Sequence, residues 1–127
     1  MLPQVETAPQ ALSERAVVTK AVVNAAERLG LSARALASVL GVSEASVSRM
    51  KRLDFTLERG TKPFELALLF IRVFRSLDAI AGGDEAVARA WLRNVNTSLG
   101  GVPADKIATV SGLTDVLAYL DARRALV

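Results

Sequence analysis

Residues 33–52, ARALASVLGVSEASVSRMKR, set serine hydroxyls, one carboxylate and four cations beside a regular apolar frame. These are groups that read duplex DNA: arginine takes the two acceptors of a guanine edge, a carboxylate accepts from a cytosine amine, and serine reaches phosphate or base. The candidates for this chemistry are Ser43, Glu44, Ser46, Ser48, Arg49, Lys51 and Arg52. A second stretch, WLRNVNTSLGGVP at 91–103, joins the single tryptophan to Asn96, Thr97 and Ser98 and then to Gly100 and Gly101. Short polar side chains of this kind bond backbone groups locally, and the glycines admit a positive φ or the close approach of another backbone. On the residues alone, a tight helix connection is favoured there over an anion nest or a partner-docking loop.

Other chemistry is scarce. With no cysteine and no histidine, disulfides, thiolate or imidazole metal ligands, cysteine nucleophiles and the commonest general base are all excluded. The carboxylates are scattered, and a serine without histidine lacks its usual activating base, so no enzymatic role, cofactor or metal is expected. Sixteen basic against thirteen acidic residues give a net charge of +3, compatible with nucleic acid but spread evenly. Residues 1–60 hold eight basic and six acidic groups and residues 61–127 eight and seven, so a DNA signal must come from local arrangement.

The elements that position these groups read as helices. Val18, Val22, Ala25, Ala26 and Leu29 recur at helical spacing over 14–29, behind a predicted Ser13 cap and ahead of Gly30. Short helices are predicted at 33–40 and 44–52, with Ser32 and Ser43 as caps. Ala37 is small where two helices must cross, Gly41 tolerates the turn, and Leu36, Leu40, Val42, Val47 and Met50 lock the second helix onto the first. That coincidence favours a DNA-binding helix-turn-helix over a plain corner in a bundle, although few cations lie near enough to meet phosphates: Arg34, Arg49, Lys51, Arg52 and Arg59. Two copies acting together are therefore expected.

Beyond the linker LDFTLERGTK, Pro63 opens a long apolar helix to about Ala81 that must be covered on more than one side, as a core helix, a self-association face or both. Glu65, Arg72, Arg75 and Asp78 exclude a membrane span over 64–81. Four phenylalanines between 55 and 74 are expected to pack. Asp84 caps the next helix, Pro103 opens a short one to about Thr109, and Ser111 is the predicted cap of the last, to about Ala125. No stretch alternates at period two, so the fold class is all-α: an N-terminal helix-turn-helix bundle followed by a small helical domain. The divisions predicted are a flexible leader at 1–12, the DNA-binding unit at 13–60 and a second unit at 61–127. The opening MLPQVETAPQ carries no secretion signal pattern, so a cytoplasmic location is expected.

The order of parts, together with Trp91, Leu92, Asn96, Leu99, Gly100, Gly101 and Pro103, resembles the Xre–MbcA–ParS antitoxins of bacterial type II toxin–antitoxin pairs. The resemblance runs from about residue 15 onward, with Val95 standing where members often have proline. It implies an antitoxin that dimerises, covers the active-site cleft of a RES-type NAD-consuming toxin with its C-terminal domain, and represses its own operon through operator DNA. The toxin-binding residues it implies are Asn96, Leu99, Gly100 and Gly101 in the loop, with Leu117, Tyr119, Leu120, Arg123 and Arg124 presented by the last helix. The alternative is a stand-alone helix-turn-helix repressor with no toxin partner.

Overall fold

The computed structural model describes residues 2–126, with side chains from Glu14 to Leu126. Seven helices occur among them: α1 (Leu2–Arg28), α2 (Ala33–Leu40), α3 (Glu44–Lys51), α4 (Lys62–Ile80), α5 (Glu85–Arg93), α6 (Pro103–Lys106) and α7 (Val110–Arg124). No strand appears among the described residues, and the chain is all-α, with the helix-turn-helix first and the smaller helical unit after it. None of these helices is long and apolar enough to cross a membrane, as the four charges in 64–81 predict. Helix α1 begins upstream of Ser13, so the cap predicted there is not its start. The leader predicted at 1–12 lies outside the described side chains.

Local chemistry sets most boundaries. Ser32, Ser43, Thr61 and Asp84 each accept a backbone N–H of the first turn that follows, satisfying donors that a helix start leaves unpaired. Gly41 closes α2 in the left-handed region at φ 70°, and its N–H returns to the Ala37 carbonyl. Helix α7 departs from expectation: Thr109, not Ser111, is its cap, accepting from the Gly112 N–H at 3.1 Å. Both residues have cap chemistry, and packing decides between them. Helix α6 likewise stops at Lys106, short of Thr109, to let that cap form.

The core explains the apolar excess of α4. It packs against α1, α2, α5 and α7, and Phe64, Ala67, Phe70, Val73 and Leu77 are buried along it. Ser76 is also buried there, and its hydroxyl donates to Asp121 Oδ1 of α7 at 2.8 Å, a pairing that removes the penalty of an unsatisfied core hydroxyl. Helix α5 docks differently. Arg89 donates to the Arg28 and Glu27 carbonyls at 2.9 and 3.1 Å, and Arg93 donates to Gly30 at 3.2 Å, so the open carbonyl end of α1 is capped by cations from the C-terminal unit. Arg28 also lies 4.9 Å above the Phe74 ring and pairs with Glu85 at 3.0 Å. Ala88 and Leu92 form the buried face of α5, while Val87 is exposed.

Candidate functional site

Helix α3 presents the DNA-reading candidates on a frame anchored by Val47 and Met50, both buried against the rest of the helix-turn-helix. Leu36, Ala37 and Leu40 of α2 are buried with them, while Val42 in the turn is half-buried. Outward stand Ser43, Glu44, Ser48, Arg49, Lys51 and Arg52, with Ser46 half-buried. Ser43 is chiefly structural: its Oγ accepts from Ser46 N at 3.0 Å and donates to Ser46 Oγ at 2.9 Å. Arg49 Nη2 donates to the same Ser46 oxygen at 3.4 Å, which holds the guanidinium over the helix surface and leaves its other N–H groups for a base edge. Arg52 is tied to Asp54 at 3.0 Å, and Arg59 to Glu14 at 3.4 Å. Of the five candidate cations, Arg34 on α2 and Arg49 and Lys51 on α3 therefore have no ion-pair partner among the described residues.

The 91–103 stretch folds into a closed loop between α5 and α6. Asn96 and Gly101 exchange backbone hydrogen bonds in both directions, at 2.9 and 3.2 Å, and Asn96 Oδ1 accepts from Leu99 N at 3.1 Å. Asn96 thus pins both mouth and tip. The Thr97 and Ser98 side chains, expected to help, are exposed and make no such bond among the described residues. Leu99 packs on the core, and Gly100 turns the chain at φ 76°.

Gly101 is different. Its φ is not left-handed, and a Cβ built on it meets nothing within 4 Å. Six of the other glycines adopt positive φ, and Gly112 has no room for a side chain; only at Gly101 does the chain's own packing make no demand for glycine. With Gly100 it edges a polar cleft of about 350 Å³ closed by Asp105, Lys106 and Asp115, three residues the sequence does not single out.

Helix α7 corrects the predicted partner surface. Leu117 and Leu120 do not face outward: they are 6% and 1% exposed, turned with Leu113 and Val116 toward the core. What α7 does offer is Tyr119, stacked on Trp91 with ring centroids 6.0 Å apart, and Arg123, whose Nη1 donates to the Tyr119 hydroxyl at 3.0 Å. Arg123 and Arg124 are both exposed. Trp91 and Tyr119 join the surface through their stack, a pairing of residues 28 positions apart for which helical spacing holds no signal.

Residues 8–72 match the antitoxin Xre-like helix-turn-helix domain, and residues 76–125 match the antitoxin Xre/MbcA/ParS C-terminal toxin-binding domain. The chain belongs to the Xre–MbcA–ParS antitoxins. A search of the curated proteins finds no match to it. As an antitoxin of this family it combines a DNA-binding module with a module for a protein toxin, and neither matched domain belongs to an enzyme family. The two matched segments meet inside α4, the helix on which both sets of helices pack.

Proposed function

We propose that this antitoxin silences a RES-type, NAD-consuming toxin by covering its active-site cleft, and represses its own operon as a homodimer in the cytoplasm. Gly101 carries the toxin half of this reading. A glycine that nothing inside the chain requires, on the rim of a rigid loop pinned by Asn96, is suited to a foreign surface that must come closer than a Cβ allows. Arg123, oriented by Tyr119 beside Trp91, supplies a guanidinium fork of the kind that matches the anionic groups an NAD-binding cleft accommodates.

Dimerisation is supported by the α1–α4 surface. Val17 and Leu68 are 61% and 43% exposed there, beside Val18, Ala21 and Ile71, in an apolar groove edged by Arg72 and Arg75. Three unpaired cations on one protomer neutralise few phosphates, and pairing two recognition helices doubles that contribution.

The test is an NADase assay of the co-encoded toxin with parent antitoxin, Gly101→Val and Arg123→Ala/Arg124→Ala. Parent protein abolishes NAD loss, and both variants lose at least about tenfold in neutralising potency, the arginine pair through lost charge-assisted contacts and Gly101→Val through a side chain wedged into the contact. Full neutralisation by both variants refutes the covering surface, and a co-encoded toxin that leaves NAD intact refutes the NAD chemistry. Truncation at residue 120 is unsuitable, since Leu120 is buried and Asp121 holds Ser76; truncation after Ala122 removes the two arginines and leaves both in place.

A further inference from the structure

Helix α3 ends in an unusual way. Leu53 N returns to the Met50 carbonyl at 3.0 Å and Asp54 N to Arg49 at 2.9 Å, the pattern of a helix stop that normally uses glycine, yet the left-handed position is filled by Leu53 at φ 59°. The reversal sends residues 54–58 back across α1, where Leu57 N donates to the buried Thr19 Oγ1 at 3.0 Å and the Leu57 side chain enters the core. Between this segment, the helix-turn-helix turn and the start of α4 lies a concavity of about 530 Å³, floored by Val42, Phe55, Leu57 and Pro63. Phe55 alone of the four phenylalanines is left exposed, at 37%.

Two of the polar side chains around it are engaged. Asp54 is held by Arg52 at 3.0 Å, and the Thr61 hydroxyl donates to the Glu58 carbonyl at 2.6 Å. Arg15 is the one cation among the rest. Its side chain is only 27% exposed, its nearest carboxylate is Glu58 at 3.5 Å on a side chain that is 71% exposed, and the pair makes no hydrogen bond. A largely covered guanidinium without a hydrogen-bonded partner among the described residues therefore stands at the wall of an apolar hollow. The volume falls within the range of small-molecule sites, roughly 300–1,000 Å³, whose pattern is an apolar floor with a few polar groups that fix orientation.

We propose that this hollow binds a small amphipathic carboxylate, its apolar body on Val42, Phe55, Leu57 and Pro63 and its carboxylate on Arg15, which exchanges the loose Glu58 contact for a bidentate one. The site is lined by residues of the N-terminal half alone and stands or falls independently of the toxin reading.

The experiment uses the full chain and the fluorescent aromatic sulfonate 1-anilinonaphthalene-8-sulfonate as probe, displaced by decanoate or by decanol. The expected result is saturable probe binding, displacement by decanoate at about tenfold lower concentration than by decanol, and loss of that preference in Arg15→Gln. Glu58→Gln, which frees the guanidinium without touching the core, is expected to raise decanoate affinity severalfold while leaving decanol unchanged. Amide chemical shifts at Thr56 and Leu57 should move on decanoate addition. Absence of saturable binding, equal displacement by acid and alcohol, indifference to both substitutions, or shifts confined to Leu68 and Ile71 on the α1–α4 face would each overturn the assignment.

Discussion

Substituting Gly112 by alanine tests the packing of the C-terminal unit most sharply. A Cβ there overlaps the Lys106 carbonyl oxygen and lies 2.7 Å from its carbon and 2.9 Å from Thr109 Oγ1. Reaching an ordinary 3.4 Å contact with that carbon alone requires the end of α6 to retreat by about 0.7 Å, and clearing the oxygen requires more. Backbone cannot swing aside as a flexible side chain does, and this segment is held by buried Ile107 and Pro103 and by the Thr109 cap. Overpacking of this kind costs about 1–3 kcal/mol and loss of the cap about 1 kcal/mol more, so a destabilisation of about 3 kcal/mol is expected. In urea unfolding followed by circular dichroism, a slope of ~2 kcal/mol/M places the midpoint about 1.5 M below the parent. Gly101→Ala is the control: open space and an ordinary φ predict a change within about 0.5 kcal/mol. A Gly112→Ala midpoint within about 0.3 M of the parent, or equal damage from the two substitutions, refutes the close approach of α6 and α7 and the distinction drawn between the glycines.

Thr109→Ala is expected to lower stability by about 1 kcal/mol and Ser111→Ala by almost nothing, since only Thr109 accepts from the first turn of α7; thermal melts of the two variants check the assignment. Asp121→Ala leaves the buried Ser76 hydroxyl without its acceptor and should cost about 1–3 kcal/mol, with Ser76→Ala/Asp121→Ala recovering part of the loss in a double-mutant cycle. Arg49→Ala should weaken operator binding by about 1–3 kcal/mol in a fluorescence anisotropy titration, with toxin neutralisation unchanged. Arg34, Arg49 and Lys51 on two protomers predict a salt dependence, log K against log salt, of about −5, reduced by about 2 in Lys51→Ala; a parent slope near −2.5 would mean that one protomer binds alone.

Much of the DNA-binding half is legible without coordinates because its determinants are local. Ser32 and Ser43 act on N–H groups three residues away, Gly41 answers a turn contained in one segment, and Leu36, Leu40, Val47 and Met50 meet across that turn. The spacing also places Glu44, Ser48, Arg49 and Lys51 outward, because burying Val47 and Met50 leaves them no other side of the helix. Around the C-terminal loop, legibility stops at the residue types. Asn96, Gly100 and Gly101 mark a turn, but the reciprocal Asn96–Gly101 bonds and the open space beside Gly101 depend on how the turn closes. Leu117 and Leu120, placed on the partner surface by the family resemblance, prove to be core once α4 is laid against them.

The order of residues alone determined an all-helical chain, the register of its helix-turn-helix and which side chains α3 turns outward, since each follows from contacts within one or two turns of the same segment. Tertiary structure alone decided that Thr109 rather than Ser111 starts α7, that Gly112 must lack a side chain, that Asp121 satisfies Ser76, and that Arg89 and Arg93 close the end of α1. Apart from the Thr109 cap, which like those of Ser32 and Ser43 acts on an N–H three residues away, those outcomes join groups that the chain brings together only when helices pack, and no helical or strand period encodes which distant partner a side chain will meet.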